Sequence, residues 1–279
     1  MNILITGIYG FLGSNLANEL QKDNCVIGFY NQNKKNKINQ SIETFDDLEL
    51  IEFSPEIIVM CHAAVVSGQE SMSKNKLLEV NVSLTKKIME HFPLAKCIYV
   101  SSVSVYGNTL NEINEDTIVN PVSEYAKSKY LGEQIVLKGT KNIIVRLPSL
   151  YGSGMKENTL IPNYCNQAID KNVIEVWGKG ERLQNYIHVD DVVDLIIKII
   201  NYQNEKSFIA LGVSDKEFSN YEVATIISNE TKSEIIFVNE DTSHSVNYNN
   251  KKTKKTFNWM PVVALNEGIK NYIGWKKTQ

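Results

Sequence analysis

Short apolar runs alternate with stretches in which apolar residues recur every three or four positions, and this alternation fills the first half of the chain. Ile3-Leu4-Ile5 is a buried-strand run that stops at Thr6-Gly7, after which Phe11, Leu12, Leu16 and Leu20 repeat at helical spacing. Val26 to Tyr30 predicts a second strand, and the lysine- and asparagine-rich run behind it predicts a solvated loop. Pro55 introduces the apolar run Ile57-Ile58-Val59-Met60-Cys61. Leu77 to Phe92 reads as a helix, Cys97 to Val100 as a strand, Ser123 to Lys138 as a helix and Ile143 to Val145 as a strand. Strands that are apolar at every position must be covered on both faces, so the alternation predicts an α/β fold with a doubly wound parallel sheet. Beyond Pro148 the spacing loosens, Gly152, Gly154, Gly178 and Gly180 mark loops, and a smaller mixed unit is expected to pack directly on the first.

Composition narrows the classes. With 43% hydrophobic and 22% charged residues over 279 positions, the chain is an ordinary globular one and not a disordered tail. A net charge of −3 supplies no basic field for nucleic acid or an anionic membrane. The four cysteines, Cys25, Cys61, Cys97 and Cys165, stand far apart without a CxxC pair, which argues against a disulfide framework or a metal site. No apolar run approaches the roughly 18 residues of a membrane span. The first residues show no charged leader or cleavage site, and a cytoplasmic location is the expectation. Only Arg146 and Arg182 are arginines, which singles out both.

The segment Gly7-Ile8-Tyr9-Gly10-Phe11-Leu12-Gly13 joins the first strand to its helix. Glycines there allow a tight turn and let backbone N–H groups approach a pyrophosphate at the positive end of the helix. A plain strand-to-helix turn also uses glycine, but three in this context point to a nucleotide. Residues 1–157 and about 187–211 are accordingly expected to form a dinucleotide-binding domain, and about 158–186 with 212–279 a smaller mixed substrate-binding domain.

Tyr125 and Lys129 lie four apart on one expected helix and so share a face. A nearby ammonium stabilises a phenolate and brings tyrosine toward useful acid–base strength, although the same spacing occurs on ordinary amphipathic helices. Ser102 ends the preceding strand, where α/β sheets place their ligands.

These pieces together resemble the extended short-chain dehydrogenase/reductase family, in its nucleotide-sugar epimerase, dehydratase and reductase branch. The resemblance runs through Gly7–Gly13, His62-Ala63-Ala64, Asn81, Ser101-Ser102-Val103-Ser104-Val105-Tyr106-Gly107, Tyr125-Ala126-Lys127-Ser128-Lys129, Arg146-Leu147-Pro148-Ser149-Leu150-Tyr151-Gly152 and Tyr186-Ile187-His188-Val189-Asp190-Asp191-Val192. It implies Ser102, Tyr125 and Lys129 as the catalytic set, with Lys129 also on the nicotinamide ribose. It implies a cofactor surface of Gly7, Gly10, Phe11, Leu12, Gly13, Tyr30, Asn31, Lys34, Ala63, Ala64, Val66, Asn81, Tyr125, Lys129 and Pro148. Substrate contacts are expected from Ser102, Ser104, Ser149, Asn158, Thr159, Trp177, Arg182 and Gln184. His62 reads as a core histidine satisfied by backbone rather than as an acid or base.

Three departures from the family pattern matter. Dehydratases of this branch carry an Asp-Glu pair after the catalytic hydroxyl, where this chain has Val103 and Ser104. The second strand ends at Tyr30-Asn31 without the acid that accepts from an adenosine ribose, and Lys34 and Lys35 follow, so NADP is the expected cofactor, with NAD as the alternative. The arginine that clamps the sugar diphosphate is replaced by Gln184, leaving Arg182 two residues earlier as the candidate, or else as a surface ion pair. The expectation is an NADP-preferring reductase of a nucleotide-linked 4-keto sugar, acting as a homodimer with no metal. A C4 epimerase with retained NAD is the alternative, and a non-catalytic NAD(P)-sensing protein is the alternative from another class.

Overall fold

The structure, a computed structural model, describes all residues except 32, 33, 35, 66–71, 110, 111 and 204. Its strands are β1 (Asn2–Thr6), β2 (Cys25–Phe29), β3 (Glu43–Phe45), β4 (Ile57–Met60), β5 (Lys96–Ser102), β6 (Ile143–Leu147), β7 (Ser149–Tyr151), β8 (Val173–Trp177), β9 (Leu183–His188), β10 (Phe208–Leu211), β11 (Glu217–Ser219) and β12 (Glu234–Val238). The helices are α1 (Phe11–Leu20), α2 (Lys74–Leu78), α3 (Leu84–His91), α4 (Glu124–Val136), α5 (Leu160–Lys171), α6 (Val189–Asn201), α7 (Asn220–Thr231), α8 (Lys251–Phe257) and α9 (Leu265–Lys276). A π-helical turn over Glu79–Ser83 joins α2 to α3, so the helix expected from Leu77 is one path with a bulge at its centre.

Seven parallel strands form the main sheet in the order β10-β6-β5-β4-β1-β2-β3. Strand alternation splits its apolar residues between two cores. Ile3, Ile5, Val59, Ile98 and Val145 pack with Leu16 of α1 and Val192 and Ile196 of α6. Leu4, Ile58, Met60, Tyr99 and Ile144 pack with Ile88 of α3 and Val136 of α4 on the other face. This is the doubly wound sheet that the all-apolar runs require. From β1 the chain builds outward to β2 and β3, then returns to add β4, β5, β6 and β10 on the opposite side. The crevice at the carboxyl ends of β1 and β4 is therefore the topological switch point, where such sheets bind ligands.

A third core gathers Tyr151, Ile161, Cys165, Ile174, Val176, Val223, Ile227, Ile269 and Tyr272 from β7, α5, β8, α7 and α9. Two small sheets, β11-β9-β7 and β12-β8, complete this region. Among the described residues, no helix is long and apolar enough to cross a membrane, and no group of His, Cys, Asp and Glu could hold a metal ion.

Candidate active site

β1 runs into Gly7, whose φ of 66° is open to glycine and whose N–H donates to the Phe29 carbonyl at 2.8 Å. A Cβ there would lie 2.8 Å from the His62 amide nitrogen, and one at Gly13 would fall on the Gly7 carbonyl. Gly10 serves the opposite purpose. It precedes α1 without any side-chain cap, and leaves the first amides of that helix bare at the switch point. An uncapped helix N-terminus in a glycine turn suits the pyrophosphate of a dinucleotide, so the chain's residues fit the cofactor surface that Gly7, Gly10, Phe11, Leu12 and Gly13 were expected to form.

At the end of β2 the Tyr30 amide donates to the Phe45 carbonyl at 2.9 Å, and the Tyr30 ring meets Tyr9 edge-on at 5.2 Å. The Lys34 ammonium lies 4.6 Å from the Tyr30 ring centre and 5.6 Å from that of Tyr9. A hydrogen bond to Tyr30 and the charge of Asp46 raise its pKa. Asp46, the residue after β3, is carried toward this corner by the pairing of Phe29 with Phe45, and its charge acts on Lys34 more weakly than Tyr30 and Tyr9 do. Asn31 is exposed, while Lys35 and the expected cofactor residue Val66 lie outside the described residues.

His62 is buried, as a core histidine should be, but its partners are hydroxyls and not backbone. Nδ1 lies 2.6 Å from Thr6 Oγ1 and Nε2 lies 3.0 Å from Thr85 Oγ1. Thr85 donates its own proton to the Asn81 carbonyl, so Nε2 carries the imidazole proton and Nδ1 accepts from Thr6. Burial, with the Lys129 charge, lowers the His62 pKa to about 3. Asn81 is fully buried: its amide donates to the Ala64 carbonyl and Ser128 Oγ, and its oxygen accepts from the Ala64 amide. It ties the loop behind β4 to α4. Ala63 is exposed in that loop, and Pro148 is half-buried between β6 and β7.

α4 begins at Ser123, whose side chain accepts from the Ala126 amide, and presents Tyr125 and Lys129 one turn apart. Tyr125 faces Ser102, the last residue of β5. Burial pushes the Tyr125 phenol up to about 12, and the Ser102 hydroxyl opposes that rise. Lys129 is 1% exposed and points elsewhere. Its ammonium donates to the Val100 carbonyl at 2.8 Å and sits 4.1 Å from the Tyr99 ring centre. Burial lowers its pKa to about 7, against the charges of Glu133 and Cys61. Ser102 Oγ also accepts from the Ser104 amide at 3.1 Å, while the Ser104 hydroxyl is buried with no partner among the described residues. Such an orphaned hydroxyl beside Ser102 and Tyr125 suits a polar ligand oxygen.

The other substrate-side expectations scatter. Ser149 is exposed on β7, and Asn158 and Thr159 are half-buried before α5, where Thr159 donates to the Lys156 carbonyl and does not cap the helix. Trp177 ends β8 half-exposed. Gln184 is engaged in structure, donating to Asn220 Oδ1 at 2.7 Å. Arg146 is buried against Glu133, as its position in a core strand led us to expect. Arg182 makes no salt bridge among the described residues, and its Nε donates to the His244 carbonyl at 3.4 Å. It lines a cavity of about 340 Å³ with Gly107, Asn108, Ser243, His244 and Ser245. Gly107 follows the turn over Val103–Tyr106 that starts behind Ser102. Sequence reasoning missed the 243–245 segment, which has no apolar period and reaches Arg182 only through tertiary contacts.

Comparison with known proteins agrees with this geometry. The family model described as "NAD dependent epimerase/dehydratase family" matches residues 3–211. A protein of Methanocaldococcus jannaschii named "Putative UDP-glucose 4-epimerase" is 28% identical, over 99% of this chain and 98% of its own length. The UDP-glucuronate 4-epimerase of Thermodesulfobacterium geofontis is 24% identical, over 98% and 95%. Among solved structures, MoeE5 in complex with UDP-glucose and NAD superposes with a TM-score of 0.88 at 20% identity, covering 100% of this chain and 99% of that one. With a matched region that spans the sheet, the glycine turn and the Tyr125–Lys129 helix, the chain belongs to the NAD dependent epimerase/dehydratase family, whose members use a nicotinamide cofactor.

Proposed function

We propose that the protein is a nucleotide-sugar C4 epimerase that retains NAD, rather than the reductase first expected from its motifs. The observation that carries this reading is the meeting of Ser102, at the end of β5, with Tyr125, at the start of α4, at the carboxyl ends of the sheet, with the partnerless Ser104 hydroxyl in the turn behind Ser102. A nicotinamide bound at the switch point would supply the hydride exchange at the sugar carbon. Tyr125 Oη is the group placed to take the proton of the sugar hydroxyl as the carbonyl forms and to return it as the carbonyl is reduced, which requires the phenol to come down from about 12 once cofactor and substrate are bound. Ser102 Oγ holds the same sugar oxygen, and the Lys129 ammonium lies one helical turn below. Val103 and Ser104 stand where a dehydratase needs an acid and a base, which disfavours that branch. The 4-epimerase names of the similar proteins support the same choice.

NAD is favoured over NADP by the β2–β3 corner. The Lys34 ammonium is already engaged with the Tyr30 ring, and is not free for a 2′-phosphate. The NAD bound in a similar solved structure supports the same choice. The third core, built on α5, β8, α7 and α9, is the part we assign to the nucleotide sugar, with Arg182 as the charged contact to its diphosphate.

The test is incubation of the purified protein with UDP-glucose or UDP-glucuronic acid, separately, with and without added NADH or NADPH. Conversion to the C4 epimer without net consumption of reduced cofactor is the expected result. Steady oxidation of added NADH or NADPH when a nucleotide-linked 4-keto sugar is supplied as substrate would restore the reductase reading, and no conversion of either UDP-sugar in any condition would overturn the epimerase reading for them.

A further inference from the structure

One buried charge on α4 has no part in the steps above. Glu133 is four residues beyond Lys129 and fully inaccessible. Its Oε1 accepts from Ser101 Oγ at 2.5 Å and from Arg146 Nε at 3.0 Å, and its Oε2 accepts from Arg146 Nη2 at 2.7 Å. Ser101 and Arg146 are register partners on β5 and β6, so a single carboxylate bridges both strands one residue before Ser102. The Arg146 guanidinium in turn lies 4.7 Å from the ring centre of Tyr106, the last residue of the turn that carries Ser104. A carboxylate so deep in the core serves stability poorly compared with an apolar replacement, which asks for another reason for its presence.

We propose that Glu133 is a positioning residue for the Ser102–Tyr125–Lys129 set: it clamps the strand ends that aim Ser102 and holds Lys129 as an ammonium. The charge part follows from the surroundings of Lys129. Cys61 faces it from the end of β4, neutral His62 from the loop behind, Tyr99 from β5, and Tyr125 and Glu133 from α4 itself. Lys129 donates to the Val100 carbonyl while Glu133 accepts from Ser101, the next residue of β5, so the ammonium and the carboxylate reach neighbouring residues of one strand from positions one turn apart on α4. The Glu133 charge opposes the effect of burial on Lys129.

This inference rests on the catalytic reading of Lys129, but its test does not need turnover. Protein carrying 13C at the lysine ε-carbons is titrated by NMR, and the Lys129 signal is assigned by its loss in Lys129→Ala. In Glu133→Gln the Lys129 midpoint is expected to fall by at least about 1 pH unit, as for loss of a nearby opposite charge, whereas Glu133→Asp keeps the charge and leaves the midpoint in place. Glu133→Gln combined with Arg146→Gln avoids a buried unpaired guanidinium, and the same fall is expected there. If Lys129 titrates in either Gln variant as it does in the parent, Glu133 does not hold its charge and the proposal is overturned. Where the parent epimerises a nucleotide sugar, Glu133→Gln should also lose activity increasingly as the pH rises. A uniform loss at every pH, with the Lys129 midpoint unmoved, would confine Glu133 to the strand clamp and overturn its action on Lys129. A parent inactive on all sugars overturns the proposed function and leaves the NMR result to decide this one.

Discussion

Replacing Lys129 by methionine is expected to stabilise the fold at neutral pH while removing activity. The side chain is 1% exposed, and burial brings its ammonium from 10.5 to about 7. At about 1.4 kcal/mol per pH unit, that fall corresponds to about 5 kcal/mol against the folded state. The sign follows from which state holds the proton. Below about pH 7 both states are charged and the folded state bears the whole cost; between about 7 and 10.5 only the unfolded chain keeps the proton and the cost fades; above 10.5 neither does. Methionine fills much the same space without a charge, but it leaves the Val100 carbonyl without its donor, which costs about 1–3 kcal/mol. It also forfeits the ammonium–ring contact with Tyr99, about 1–2 kcal/mol when desolvated. The balance is a gain of about 0–3 kcal/mol below pH 7 that turns to a loss near pH 10, by the same per-unit conversion. Urea unfolding of parent and variant followed by circular dichroism, near pH 6.5 and near pH 9.5, measures both ends. A variant less stable than the parent at the lower pH, or a difference that does not shrink at the higher one, would refute a protonated lysine buried at a cost.

Tyr125→Phe removes only the hydroxyl and should lower kcat by about 10²–10⁴-fold, with NAD binding by fluorescence titration left near the parent value. Arg182→Ala is expected to raise KM for the nucleotide sugar at least about tenfold, about 1.4 kcal/mol, without changing NAD affinity; an unchanged KM would remove Arg182 from the diphosphate. Gly13→Ala drives a methyl group onto the Gly7 carbonyl, so a loss of about 1–3 kcal/mol in thermal or urea stability is expected from the overpacking, together with weaker cofactor binding. Asp46→Asn should narrow the preference for NAD by strengthening NADP binding about tenfold; NADP affinity indifferent to the substitution would leave the corner without a role in cofactor choice.

The strands β1, β4, β5 and β6 are visible in the sequence because parallel strands covered on both faces must be apolar throughout, and few other contexts demand that. The glycine turn is visible for a similar reason: close backbone approach at Gly7 and Gly13 admits no side chain. Tyr125 and Lys129 are linked by helical spacing alone. Their chemistry is less directly legible, because spacing places both on one face but does not say that the ammonium turns to Val100 and Tyr99 while Ser102 takes the phenol. β3 escapes a pattern reading because it is three residues long, contains no fully buried position and is held in place by β2. With it is lost Asp46, the residue that follows β3 and whose charge acts on Lys34. Gln184 likewise reads as a free polar side chain until α7 brings Asn220 against it.

The sequence alone determined the layered α/β architecture and the position of the glycine turn, since each depends on local periodicity or on a glycine that tolerates no substitute, and its family resemblance nominated Ser102, Tyr125 and Lys129 as the candidate reacting side chains. Only the tertiary structure decided the charges around those side chains: Asp46 acting on Lys34, Glu133 on Ser101 and Arg146, and the lone Arg182 in a cavity with His244. Those pairings join residues on separate strands, helices and loops. Burial periodicity records which residues face inward, whereas the partner each one meets there is set by strand register and helix packing between distant parts of the chain.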